Sequence, residues 1–225
     1  TRYLFEAIRL AHMADGYCPR VVFTSSIAVV GAPLPYPIPD EFHTTPLTSY
    51  GTQKAICELL LSDYSRKGYF DGIGIRLPTI CIRPGKPNKA ASGFFSNIIR
   101  EPLAGQEAVL PVGEDVRHWH ASPRSAVGFL IHGANIDLET VGPRRNLSMP
   151  GLSATVGEQI EALRRRRQFD PVVQAHRNAG RLEFEVAPRA HAGTESRGAD
   201  LLARAIARDD RPWGGEDPPG IVYFY

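Results

Sequence analysis

Cysteine is scarce in this chain. The three present, Cys18, Cys57 and Cys81, are odd in number and lack paired spacing. That excludes a disulfide framework or a zinc knuckle and makes a reducing cytoplasm the expectation. No apolar run approaches the roughly 20 residues that a bilayer-crossing helix needs, which excludes a membrane-spanning chain of that kind. Charge of one sign is also lacking: the net charge is +2, too small to argue for a nucleic-acid partner. Lysine stops at Lys89, and residues 164–225 carry arginine as their only strong base. An initiator Met and a secretory leader pattern are both missing at Thr1. What is present is ordinary for a globular domain: 43% hydrophobic and 22% charged residues exclude a collagen-like or wholly disordered chain.

Thr1 opens directly into helical periodicity, with Tyr3, Leu4, Ala7, Ile8 and Ala11 on one stripe. Turn residues Asp15, Gly16 and Pro19 follow, and Val21-Val22-Phe23 then reads as a short buried strand. Helix followed by strand is half of an α/β unit, so the expectation is a chain that starts part-way through such a unit. Residues 31–46, rich in Pro and Gly, read as an ordered surface loop. A long helix is predicted from about Thr48 to Arg66, its apolar face supplied by Leu59, Leu60, Leu61 and Tyr64. Ile73 to Leu77 reads as a strand, 94–104 as a helix, and Ala108 to Leu110 as a short strand. Helices over 123–134 and from Thr155 to Leu163 flank a strand at Asn146-Leu147-Ser148-Met149. From Arg164 the composition changes to Arg, Pro and Gly without a sustained apolar period, which predicts a poorly ordered tail over 164–225.

The richest chemistry lies in Tyr50-Gly-Thr-Gln-Lys54. Tyr and Lys at i and i+4 share one helix face. An ammonium beside a phenol favours the phenolate, so such a Tyr can take the proton of an alcohol while hydride leaves the same carbon. The remaining ammonium donors can hold ribose hydroxyls of a dinucleotide. The pair alone arises readily by chance, and its context decides. Thr24-Ser25-Ser26 stands at the C-terminal end of the apolar strand, where α/β sheets place ligands. A hydroxyl there can hold a substrate oxygen, while turn capping accounts for one of the two serines. Lys86, Lys89, Arg117, His118 and His120 are candidates for binding an acid's carboxylate, with Arg117 first because a guanidinium binds it bidentately. No Cys or carboxylate stands at metal-ligand spacing beside the two histidines.

Residues 21–31, Val-Val-Phe-Thr-Ser-Ser-Ile-Ala-Val-Val-Gly, with Ser49-Tyr-Gly-Thr-Gln-Lys54, resemble the extended short-chain dehydrogenase/reductases, the NAD-dependent epimerase/dehydratase family. The resemblance implies a doubly wound Rossmann sheet with a smaller substrate-binding portion, an α/β fold. It implies Ser26, Tyr50 and Lys54 as the catalytic set, with Ser25 in reserve. Ser25, Tyr50, Lys54, Pro78 and Thr79 would lie at the NAD cofactor, and Ser26, Tyr50 and Arg117 at the substrate. Residues 76–95 and 116–128 are similar to the D-erythronate dehydrogenase branch, which implies oxidation of the 2-hydroxyl of a small sugar acid to the 2-oxo acid. Relatives commonly form homodimers through the Tyr-bearing helix.

The resemblance covers roughly residues 1–163. It implies residues 1–85 as the C-terminal part of the NAD-binding domain and 86–163 as the substrate-binding portion. The family's glycine-rich phosphate turn is absent ahead of the Ser-bearing strand, which sets an expectation of an N-terminally truncated chain that binds NAD poorly. Two alternatives stay open: a nucleotide-sugar epimerase or dehydratase using the same residues, and a non-catalytic remnant of the fold.

Overall fold

The structure is a computed structural model that describes residues 1–35, 37–39, 42–83, 91–166, 172–178 and 181–187. It is an α/β fold that divides into two compact units. The first holds Thr1–Pro78 and takes the chain up again over Ala126–Pro150; the second holds Thr79–Ser125 and continues from Gly151. The boundary thus falls at Pro78, ahead of the expected 85, and the first unit recovers a later segment. The reason is a strand near residue 147 that returns to the first sheet.

In the first unit, helix α1 (Arg2–Asp15) leads into strand β1 (Arg20–Ser26), then a single 3-10 turn (Ile27–Val29), helix α2 (Ser49–Arg66) and strand β2 (Asp71–Leu77). Helix α4 (Pro123–Asn135) and strand β5 (Asn146–Ser148) complete it. The strands form a wholly parallel sheet in the order β1-β2-β5. Its apolar strands are buried on both faces, as parallel sheets require. On β1, Val21 and Phe23 join Phe5, Leu61 and Phe70 in one core beneath α1 and α2.

Strand β2 alternates glycine with isoleucine, and the two residue types face opposite ways. A Cβ on Gly72 would meet Leu61 Cγ at 3.1 Å and Ser65 Oγ at 2.5 Å, so the glycine side admits α2 closely. A Cβ on Gly133 of α4 would meet Ile75 Cδ1 at 2.8 Å, so the isoleucine side carries α4. Helices therefore cover both faces of the sheet, the doubly wound arrangement.

The second unit contains strand β3 (Thr79–Ile80), helix α3 (Phe94–Leu103), strand β4 (Arg117–Ala121), strand β6 (Leu152–Thr155) and helix α5 (Val156–Arg166). Its sheet runs β3-β4-β6, parallel then antiparallel. Phe95, Ile98 and Ile99 of α3 pack with Val156, Ile160 and Leu163 around Ala108 and Leu110. The short strand expected over 108–110 is not one. Ala108 and Leu110 are buried and Val109 is exposed, so the alternation there reports burial without sheet pairing. The arginine-rich region set apart from 164 onward begins inside α5. Strands β7 (Val172–Asn178) and β8 (Arg181–Ala187) follow as an antiparallel pair. The rest of that region lies outside the described residues. Among the described residues no helix is long and apolar enough to cross a membrane.

Candidate active site

Ser26 is the last residue of β1 and adopts extended backbone angles. Its Oγ accepts from the Ala28 amide at 3.2 Å, capping the 3-10 turn, and its own O–H stays available to donate. Ser25, one residue earlier, points the other way along the alternating strand. It is buried, and its hydroxyl donates to Glu58 Oε1 at 2.6 Å. The two serines therefore divide: Ser25 is turned toward α2, and Ser26 alone stays partly exposed at the strand tip. The hydroxyl of Ser25, held in reserve for the strand-tip role, is engaged by Glu58.

Thr48 caps α2, accepting from the Gly51 amide at 3.0 Å. Tyr50 and Lys54 follow on its first two turns. The start of α2 is set by a backbone contact: a Cβ on Gly51 would stand 2.0 Å from the Ala28 carbonyl oxygen. Only glycine lets the helix lie on the turn that Ser26 caps. The loop before it is tied down as well, since Thr45 Oγ1 both accepts from the Gly31 amide and donates to its carbonyl at 3.0 Å.

Tyr50 is 55% exposed. The Lys54 ammonium lies 5.7 Å from the Tyr50 ring centroid and 4.9 Å from that of Phe23. It donates to the main-chain carbonyl of Thr24. Burial of this half-covered ammonium lowers its pKa from the usual lysine value. One of its three N–H donors serves Thr24, and two remain for a ligand.

Residues that sequence reasoning missed hold this arrangement. Glu58 is one turn beyond Lys54 and is buried. Arg76 of β2 reaches it with two bonds, Nε to Oε1 at 2.9 Å and Nη2 to Oε2 at 2.8 Å. Ser25 and Arg76 are direct partners in the β1–β2 register. Farther along α2, Asn146 Nδ2 of β5 donates to the Glu58 carbonyl at 3.1 Å and to Ser62 Oγ at 2.9 Å. The Gly72 amide donates to Ser65 Oγ at 3.1 Å. Lys54, Glu58, Ser62 and Ser65 thus form a polar stripe at helical spacing that binds all three strands. Leu59, expected on the apolar face, is 71% exposed. Sequence offered one signal: Arg76 is a lone charge within an otherwise uncharged strand end and needs a buried partner.

The remaining candidates belong to the chain around Pro78. Pro78 is buried and closes the first unit, and Thr79 opens the second. Within the second unit, Thr79 Oγ1 lies 2.7 Å from His118 Nε2, and the His118 ring stacks on Phe95 with centroids 4.6 Å apart. His120 is 1% exposed; Gln159 Nε2 lies 2.6 Å from its Nε2 and Cys81 Sγ 3.6 Å from its Nδ1. Burial pushes His118 below the usual histidine value, and His120 down to about 3. Burial thus disfavours the cationic form of both rings that carboxylate binding would use. Arg117 stays exposed, with Nη1 donating to the Ser153 carbonyl at 3.2 Å and 3.4 Å from Glu158 Oε2. Lys86 and Lys89 lie outside the described residues.

A D-erythronate dehydrogenase from Cupriavidus necator is 55% identical over 150 residues, 67% of this chain and 46% of that protein. A second D-erythronate dehydrogenase, from Haemophilus influenzae, is 51% identical over 144 residues, 64% of this chain and 46% of its own. The chain spans about half the length of these curated relatives. A crystal structure of the nucleoside-diphosphate-sugar epimerase from Agrobacterium tumefaciens superposes with a TM-score of 0.71 at 88% identity, covering 73% of this chain and 48% of that one. Residues 1–122 match the NAD dependent epimerase/dehydratase family, a span that takes in α1, β1, α2 and β2, and the chain belongs to that family.

Proposed function

We propose that the protein takes part in oxidation of the 2-hydroxyl of a small sugar acid of the D-erythronate type, with NAD as the oxidant. The observation that supports this reading is that the Lys54 ammonium, 5.7 Å from the ring centroid of the exposed Tyr50, is bonded to the Thr24 carbonyl two residues before Ser26 at a parallel strand tip. The D-erythronate dehydrogenases at 55% and 51% identity support the substrate class.

Tyr50 takes the substrate's hydroxyl proton onto its phenolate oxygen. Lys54 favours that phenolate by its charge. Ser26 donates to the same substrate oxygen and holds it against Tyr50. Lys54 would hold the ribose of a nicotinamide cofactor, which would supply the hydride acceptor for the oxidation. The donor set fits such a group, since the two free N–H donors of Lys54 suit the paired hydroxyls of a ribose. Arg117 is proposed as the carboxylate contact on the chemistry of its exposed guanidinium. Self-association through α2 belongs to the same reading and is supported by the exposed Ile56 and Leu59 on that helix.

A second reading, nucleotide-sugar epimerisation by the same three residues, is favoured by the description of the 88% identical crystal structure. The two differ in redox balance. Incubation with D-erythronate and NAD is expected to form NADH in proportion to the 2-oxo acid. Interconversion of nucleotide-sugar epimers without net NADH would replace the first reading with the second. No turnover of either kind would remove catalysis by this chain.

A further inference from the structure

The side of β2 that α2 rests on is nearly featureless. Gly72 and Gly74 offer no side chains there, and Arg76 is the first that does. Helices usually find their seat by fitting side-chain ridges into grooves. On β2 a glycine surface fixes neither the rotation of α2 nor its position, so the helix is seated by the apolar contact of Leu61 with Val21 and Phe23 of β1 and by its polar stripe. The polar stripe supplies what the surface lacks, and its strongest member is the Glu58–Arg76 pair, both of whose side chains are largely buried.

A buried ion pair contributes little net stability over apolar packing of the same volume. Its distinctive property is geometry, because a guanidinium fork meets a carboxylate in one orientation. The fork here is closed by both Arg76–Glu58 bonds, and Ser25 adds a third contact to Oε1. Ser25 and Arg76 stand directly opposite one another on adjacent strands. Glu58 therefore grips β1 and β2 at one level, one residue before Ser26 and one helical turn from Lys54.

We propose that Glu58, Arg76 and Ser25 form a positioning device that seats α2 on the strand tips, and that the seat of the Lys54 ammonium on the Thr24 carbonyl depends on it. Glu58 acts through Lys54 and Ser26 and is a positioning residue. The inference rests on reading Ser26, Tyr50 and Lys54 as the reacting set, but its test needs no turnover.

The chain has four lysines, so nitrogen-15 labelling of lysine gives a simple ammonium spectrum, with Lys54→Arg identifying the Lys54 signal. In the unaltered chain Lys54 is expected to show a resolved ammonium resonance protected from water exchange. Glu58→Gln is expected to raise that exchange at least tenfold or abolish the signal, and Glu58→Asp to restore part of the protection. Ser25→Ala, which deletes one hydroxyl, is expected to raise it at least threefold, and it decides the matter if Glu58→Gln does not fold. Phe70→Leu, a core change outside the network, should lower the melting temperature and leave Lys54 exchange unchanged.

Wild-type exchange in both Glu58→Gln and Ser25→Ala would overturn the proposal, as would an unprotected Lys54 in the unaltered chain. Protected Lys54 that responds to Glu58 in a chain without turnover would sink the dehydrogenase reading and leave this one standing.

Discussion

The Lys54 ammonium is bonded to the carbonyl of Thr24, two residues before Ser26 on the strand beneath it. This bond makes the lysine part of the sheet as well as of the helix. Lys54→Met keeps the aliphatic stem over Phe23 and removes the charge. Turnover is expected to fall by at least about 100-fold, the range set by losing a group that assists proton transfer. Unfolding free energy is expected to change by less than about 1 kcal/mol, because relief from burying the ammonium offsets the lost hydrogen bond. Urea titration alongside NADH formation checks both halves.

Tyr50 is exposed, so its hydroxyl can be removed with little structural effect. Tyr50→Phe is expected to leave stability within about 0.5 kcal/mol of the starting protein and to reduce turnover by at least about 100-fold. Ser26→Ala should behave differently, since it also strips the cap from Ala28 and adds a loss of about 1 kcal/mol. Equal turnover in Tyr50→Phe and the unaltered chain would remove the phenol from the reaction.

His120 makes stability depend on pH in the acid range. Its folded pKa is depressed to about 3, while the unfolded ring titrates near 6.5. Below about 6.5 the unfolded state binds a proton that the folded state refuses, so stability falls as pH drops. Above that value the contribution is fully present. The limiting slope is about 1.4 kcal/mol per pH unit, and His118, shifted the same way, adds to it. Urea midpoints between pH 7 and pH 4 measure the slope, and His120→Gln should flatten it.

Two glycines offer a matched comparison. A Cβ at Gly51 collides with the Ala28 carbonyl, whereas one at Gly128 of α4 meets nothing within 4 Å. Gly51→Ala is expected to cost about 1–3 kcal/mol and to lower turnover by shifting α2. Gly128→Ala is expected to stabilise by up to about 1 kcal/mol. Thermal melts of the two variants give the signs directly.

Much of this was legible in the amino-acid order, and the gaps have physical causes. Val21 to Phe23 announced a strand as an uninterrupted apolar run, which a parallel sheet buried on both faces leaves, and Ile73 to Leu77 by alternating apolar residues with Gly74 and Arg76. Tyr50 and Lys54 announced themselves by chemistry and spacing. Glu58 did not, because a single glutamate on a helix usually faces water, and its burial depends on Arg76, eighteen residues away. Apolar periodicity also misassigned the seating of α2, since Leu59 points outward while Glu58 and Ser62 meet the strands. His118 and His120 lie on strand β4. The lowering of their pKa comes from burial, which only the tertiary fold brings about.

Ala28 follows Ser26 by two residues in the chain and its carbonyl meets Gly51, the neighbour of Tyr50, so the serine-bearing and phenol-bearing turns touch main chain to main chain. The spacing of those two turns is thus insulated from side-chain rotamer hopping and from drift in the residues around them. Evolution could exchange the surrounding loop, and with it the molecules admitted, without retuning the reach between hydroxyl and phenol.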